Sequence, residues 1–331
     1  MGCVSFSARF FANGKITKAA LQEAELAARC ELQTIAEAYR GQWQEVWGSS
    51  GTAKMLAEVL EQNGYSDSGI TRAGLEKLRS HLLKVGDIQK LNLVGLKTDR
   101  LAAFAGGFAI MYATFCELEI KQMQHALGAL REGVLHDLWG RTHNADMRDI
   151  TVQNFMRRYQ VDTKQAQRVG QLAQNLAEQF LGDDEQEAPL HFLSWITRLH
   201  EIGTRIAHNA YHKHSAYILA HADMPGFSKK EQTRMSVLAL AHRGGLDKCK
   251  GSLIAPTDLV LLMSLRLASL FYRNRSDTLL PNIRAQFTGA KFHLFISNDW
   301  LAHNALAQAA LQTEAQQWKI LGISLQISPS A

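Results

Sequence analysis

Seven of the thirteen histidines fall between His191 and Gly251, a segment that also carries nine Lys/Arg against four Asp/Glu. Cationic and imidazole side chains gathered in this way suit an anion. Arg205, His208, His212, Lys213 and His214 lie within ten residues, and Lys229, Lys230 and Arg243 follow on the next elements. A helical hairpin lining them along one groove, leading toward a turn at Gly48–Thr52, forms a track for a long polyanion. Affinity along such a track falls steeply with salt, because each contact releases counterions, and rises below about pH 6.5, where an unperturbed histidine becomes cationic. The competing reading is a solvated basic face with no ligand.

Two further sites have anion chemistry. Gly48-Ser49-Ser50-Gly51-Thr52 follows a short apolar strand, Trp43–Trp47, and precedes the helical pattern AKMLAEVLEQNG. Small residues between a strand and a helix let backbone amides converge on a phosphate at the positive end of the helix dipole, although the same turn also serves as an ordinary tight connection. In Gly128–Leu135, an apolar strand is expected to turn with Arg131 at its centre. Arg131 either clamps phosphate oxygens bidentately or pairs with Glu132 or Asp137.

The elements that must position these residues belong to a globular chain of 331 residues, 46% apolar and 20% charged, with a formal charge of +5 and a pI near 9.0. That length predicts two or three compact units. Cys3, Cys30, Cys116 and Cys249 are far apart with no metal-ligand spacing, as expected of thiols in a reducing cytoplasm. The run Leu101–Phe115 is too short to cross a bilayer and reads as a buried helix, with Gly106-Gly107 at a close packing point. No signal peptide is visible, and Phe6 stands where a myristoylation pattern needs Ser or Thr. MGCVSFSARF alternates as a strand does but has no neighbour before it, so the chain is expected to begin inside a fold. Thr17 caps a helix running to Arg40-Gly41, and another spans Ala73–Val85. From Ile150 to about Arg275 the periodicity is helical, interrupted by an acidic loop at Gly182–Pro189. Strands at Asn282–Thr288 and Lys291–Ile296 around Gly289-Ala290, a helix from Leu301 to Trp318 and a strand Ile320–Ile327 complete it. Trp300 and Trp318 read as core or docking residues.

The phrases GCVSF, GSSGT, GALREGVL and LHEIG…HKHSAYILAHADMPGFS, in this order and spacing, resemble the exopolyphosphatase / guanosine pentaphosphate phosphohydrolase family, the last phrase its long exopolyphosphatase branch. The resemblance implies α/β plus all-α architecture. Residues 1–137 correspond to the C-terminal lobe of an actin/Hsp70-like (ribonuclease H-like) phosphatase domain, incomplete; 138–276 to an HD-like helical domain; 277–331 to a small α/β unit. The first lobe, with its phosphate loop and water-activating glutamate, is expected to lie upstream of this chain. What remains would be Gly48–Thr52 as the phosphate- or nucleotide-facing turn, with Arg131 near the cleft. In the helical domain, His200-Glu201 stands where HD enzymes carry His-Asp, His214 and His242 stand near later ligand positions, and Ser269 replaces the final aspartate. The histidines are therefore expected to be remnants that hold no metal.

The implied activity is release of terminal orthophosphate from inorganic polyphosphate, and of a phosphate from guanosine pentaphosphate, by a Mg²⁺-dependent cytoplasmic homodimer with guanosine penta/tetraphosphate as a further partner, no nucleic-acid partner and no membrane span. A chain without its first lobe is alternatively an inactive polyphosphate-binding or dimerising module. A stand-alone HD metallohydrolase is disfavoured by Glu201 and Ser269.

Overall fold

The computed structural model describes residues 1–142, 146–182, 186–252 and 255–329. The chain divides into two units, Met1–His136 and Asp137–Ala331. Unit one runs α1 (Cys3–Phe10), α2 (Lys18–Tyr39), β1 (Trp47–Gly48), α3 (Ser50–Gln62), β2 (Ile70–Thr71), α4 (Arg72–Val85), α5 (Leu101–Glu117) and β3 (Gln122–His125), and α6 (Leu130–Thr142) carries the chain onward.

The opening is a helix, not the expected strand. Phe6 and Phe10, one turn apart, bring their rings to 5.3 Å on one face, a spacing that only a helix makes adjacent. α1 then packs on α5, whose run of apolar residues is buried on nearly every side from Phe104 to Ala109. The contact depends on Gly106. A β-carbon there would stand 2.5 Å from both the Cys3 carbonyl oxygen and the Ser7 amide nitrogen, while the Gly106 amide itself donates to Ser7 Oγ at 3.0 Å. At its far end α5 buries Glu117 under Arg29 of α2 and Arg40 just beyond its end, with N–O distances of 2.9 and 2.8 Å.

Thr17 and Thr71 cap α2 and α4 by accepting from backbone amides three residues on. The sheet of this unit is small, in the order β1-β3-β2, with β1 parallel and β2 antiparallel to β3. Because β1 is parallel to β3, α3 leaves from the carboxyl edge of the sheet, where open α/β sheets place ligands. The segment expected as an apolar strand turning at Arg131 is instead the start of α6. Gly128-Ala129 leads into a run of helix formers, and Glu132 accepts from the Ala129 amide as an N-terminal cap does.

Unit two contains α7 (Met147–Arg158), α8 (Thr163–Leu181), α9 (Glu187–Leu199), α10 (Tyr211–His221), α11 (Lys229–Ala241) and α12 (Pro256–Phe271), followed by β4 (Arg284–Thr288), β5 (Lys291–Ile296), α13 (Asn298–His303), α14 (Ala305–Lys319) and β6 (Ser324–Pro329). Part of the expected acidic loop, residues 183–185, lies outside the described residues; Pro189 stands in the first turn of α9, where its missing amide costs nothing. The single helix expected over Leu301–Trp318 is broken at Asn304, whose side chain donates to the Trp300 carbonyl at 2.8 Å. The last strand begins at Ser324 rather than Ile320, after a turn at Leu321-Gly322.

β4, β5 and β6 form a sheet in that order, joined through the two-residue turn Gly289-Ala290 and a parallel return. Its inward residues Phe292, Leu294 and Ile296 belong to the same buried cluster as Leu261, Leu265 and Phe180 of the helices. The Phe180 and Phe292 rings meet edge to face at 4.9 Å, and the Gln179 side chain accepts from the Ala285 amide at 2.8 Å. Residues 277–331, expected as a unit of their own, thus share one core with the helices before them. Among the described residues no helix is long and apolar enough to cross a membrane, and all four cysteines are free.

Because two backbone atoms block the space at Gly106, Gly106→Ala is expected to force α1 off α5, at a cost of about 1–3 kcal/mol as in other overpacked cores. Chemical denaturation followed by circular dichroism measures it, and an unchanged midpoint would show that the α1–α5 contact yields freely.

Candidate functional site

In unit one the Gly/Ser turn becomes the start of α3. Ser49 takes the capping position, but its side chain makes no hydrogen bond to the helix, so the first amides of α3 are left without a side-chain acceptor. Ser50 is held at φ +78°, a left-handed conformation that a residue with a β-carbon rarely adopts and that clusters at binding sites. Gly51 has a specific reason to be glycine. The Arg100 guanidinium lies flat against it, with three of its atoms 3.3 Å from where a β-carbon would be. Arg100 is half exposed, and its carboxylate contact, to Asp99, is 3.8 Å away. A guanidinium beside uncapped helix amides is the chemistry of a phosphate cradle. Sequence reasoning missed Arg100; the available signal was its position immediately before the buried helix, which ties it to that helix's start. Arg131, the expected partner of the turn, is exposed in the first turn of α6.

Unit two holds a cavity of about 520 Å³ among α8, α10, α11, α12 and α14. Its walls gather the residues expected as HD-like remnants, His200, Glu201, His242 and Ser269, although 69 residues separate the first and last in sequence. The two histidines meet edge to face with ring centroids 5.0 Å apart. Each commits Nδ1 to a carbonyl in its own helix, His200 to Thr197 at 2.7 Å and His242 to Ala239 at 2.6 Å. Complete burial pushes both imidazoles below their ordinary pKa, so they stand neutral. Tyr211 bridges His242 Nε2 at 3.3 Å and Glu201 at 3.4 Å, and Glu201 is held by Arg275 at 2.7 Å. These five side chains form a closed network. Among the described residues no three His, Cys, Asp or Glu side chains converge as metal ligands would. His214 is not part of the cavity wall; it packs where the turn after α9 crosses α10, a crossing so tight that a β-carbon on Gly203 would stand 2.2 Å from the Tyr211 carbonyl oxygen.

The expected polyanion track is divided. His208 and Arg243 line the mouth of the cavity, whereas Arg205 lines a separate depression with Asp162 and Arg275 and donates to the Tyr159 carbonyl. Lys229 and Lys230 open α11, and Arg243 lies beyond its other end, a distance of about 20 Å at 1.5 Å per residue. Lys229 donates to the Ala220 carbonyl at 3.2 Å, and Lys213 is exposed on α10. The pH expectation also fails for His212. Burial, with Lys248, Arg243 and Lys213 nearby, lowers its pKa to about 4, so it does not become cationic near pH 6.5. Arg243 instead covers the Tyr211 ring at 5.3 Å.

Residues 1–142 match the Ppx/GppA phosphatase family, and residues 147–315 match Ppx/GppA phosphatase, domain III. A guanosine-5′-triphosphate,3′-diphosphate pyrophosphatase of Pseudoalteromonas translucida (strain TAC 125) is 36% identical over 331 aligned residues, covering 98% of this chain and 66% of that protein. The chain therefore spans about two thirds of the length of the curated relative it matches.

The depressed histidines make stability depend on pH. An unfolded imidazole takes up its proton near pH 6.5, whereas the folded chain holds His212 neutral down to about pH 4 and keeps His200 and His242 neutral by burial. The unfolded state binds more protons between those values, so stability is full above pH 6.5 and is lost as pH falls toward 4. Thermal unfolding across this range should show the midpoint dropping, and His212→Asn should remove part of the drop. A flat midpoint for the unsubstituted chain is the contrary result.

Proposed function

Because this chain belongs to the Ppx/GppA phosphatase family, we propose that it serves the hydrolysis of a terminal phosphoanhydride, with orthophosphate released from inorganic polyphosphate or guanosine pentaphosphate. The observation that carries the proposal is the uncapped start of α3 with the Arg100 guanidinium laid against Gly51. In such a step water attacks the terminal phosphorus, the bridging P–O bond breaks, and the leaving oxygen keeps the electron pair. Charge gathers on the equatorial oxygens, and amides and a guanidinium fixed beforehand stabilise it without rearranging.

We assign this chain the gripping of the phosphate and no residue of it the activation of water. Unit one fits the role of the second lobe of an actin-like phosphatase domain. Magnesium is proposed to arrive with the phosphate chain, since the described residues form no carboxylate or histidine cage for it. Polyphosphate and guanosine pentaphosphate present the same feature to α3, a terminal phosphate on an anhydride, so the turn itself does not choose between them. The homologous protein is named for guanosine-5′-triphosphate,3′-diphosphate, which favours carrying that substrate alongside polyphosphate.

Tripolyphosphate binding, measured calorimetrically over a salt series, tests the assignment. Arg100→Ala should weaken binding by about tenfold or more, the loss of a charge-assisted hydrogen bond, and lower the salt slope by about one. Equal affinity and slope in the two proteins would remove the phosphate from this turn. Orthophosphate release measured alongside separates an enzyme from a binding module.

A further inference from the structure

The cavity of unit two is not used by this reading of unit one, yet it has the attributes of a binding site. At about 520 Å³ it lies in the range of small-molecule pockets and can hold a ligand the size of a mononucleotide. Of its four arginines, Arg266 is neutralised by Glu314 and Arg275 by Glu201 and Asp162. Arg243 and Arg273 reach the same cavity without a carboxylate partner among the described residues. The cavity therefore keeps an uncompensated positive rim.

Its floor asks for something different. Gln165 is 2% exposed and spends its side-chain amide on the Tyr272 carbonyl at 2.8 Å, which leaves its Oε1 buried with no hydrogen-bond donor. Ser269 Oγ is likewise buried and unpartnered. Both residues line the cavity. Buried polar atoms left unpaired cost stability unless a ligand satisfies them, and an acceptor such as Gln165 Oε1 is satisfied only by an O–H or N–H donor. A bare phosphate chain carries acceptors and cannot supply one. At the mouth stands the exposed His208 ring, with the buried Tyr211 ring 6.3 Å behind it. Ala210, the residue before Tyr211, stands at φ +53°, and Arg275 of the cavity wall at φ +57°, strain of the kind that binding sites retain.

We propose that this cavity is a binding site for a nucleoside monophosphate. Its phosphate lies between Arg243 and Arg273, its hydroxyl or amino groups donate to Gln165 and exchange a hydrogen bond with Ser269, and its base rests near His208. The site belongs to the helical unit alone, and its occupation is a regulatory input separate from the phosphate grip at α3.

Calorimetry on the full chain with adenosine and guanosine monophosphate, and separately with tripolyphosphate, tests this. One equivalent of nucleoside monophosphate should bind to the unsubstituted chain, with affinity at least tenfold weaker in the double change Arg243→Ala with Arg273→Ala. Both arginines are exposed, so the fold should persist, and an unchanged melting curve checks that it does. Arg100→Ala should leave this binding intact, which separates failure here from failure of the α3 assignment. Ser269→Ala, which removes one hydroxyl, should weaken nucleoside monophosphate binding while leaving the affinity for tripolyphosphate unchanged. The proposal is overturned if neither nucleotide binds in the millimolar range, if binding survives loss of both arginines, or if tripolyphosphate displaces the nucleotide from this cavity with higher affinity.

Discussion

Unit two is organised around one buried ion pair. Arg266, 4% exposed in the middle of α12, forks onto the Glu314 carboxylate of α14, with its second nitrogen 2.8 Å from Oε2, and its remaining donors reach the carbonyls of Ala241 and Gly244 at the end of α11. Glu314 also accepts from the Trp318 indole at 2.7 Å. One guanidinium thus ties together the C-terminal helix, the longest apolar helix of the unit and the turn that carries His242 and Arg243. Taking either partner away leaves the other charged and buried, a loss of about 3–5 kcal/mol in comparable pairs. Because the contacts are directional, they also fix the angle at which α14 meets α12, and that angle leaves the cavity open between them. A purely apolar contact of the same area would permit the helices to slide together.

The same logic of close approach governs unit one, with glycine in place of charge. Gly106 admits α1 to within backbone contact of α5, and α5 begins directly after Arg100. Whatever holds α5 therefore holds the base of the Arg100 side chain, and the guanidinium reaches Gly51 from a rigid support. The phosphate chemistry assigned to α3 is delivered by packing at a distance: an apolar helix, buried on nearly all sides, sets where a cation stands.

Much of this architecture was legible in residue order. Thr17 marks a helix start because a hydroxyl reads directly as a cap, and the Gly289-Ala290 hairpin follows from alternation on both sides of a turn. The gathering of His200, Glu201, His242 and Ser269 around one cavity came from the resemblance, not from spacing, since no periodicity connects residues so far apart. Three features were not legible. α1 read as a strand because Val4 and Phe6 alternate, and only the partner α5 makes the i, i+4 pair Phe6–Phe10 decisive. The basic residues of the His-rich segment read as one track because sequence gives neither direction nor end; α11 is long enough to separate Lys229 from Arg243. Gln165 and Arg273 gave no local signal, because what distinguishes them is a missing partner in three dimensions, and Arg100 offered only its place immediately before a buried helix.

The histidines show why a ligand's residue types do not suffice to make its site. His200 and His242 are close enough to share a metal, but each has turned Nδ1 onto a backbone carbonyl of its own helix, and Glu201, the nearest carboxylate, is neutralised by Arg275. A metal ion needs negative charge to offset its own desolvation, and here that charge is already answered. Ser269 gives the wall a hydroxyl instead of an anion. The resulting cavity is neutral at its floor and positive at its rim. An electrostatic profile of that sign disfavours a cation and suits the organic anion proposed for it.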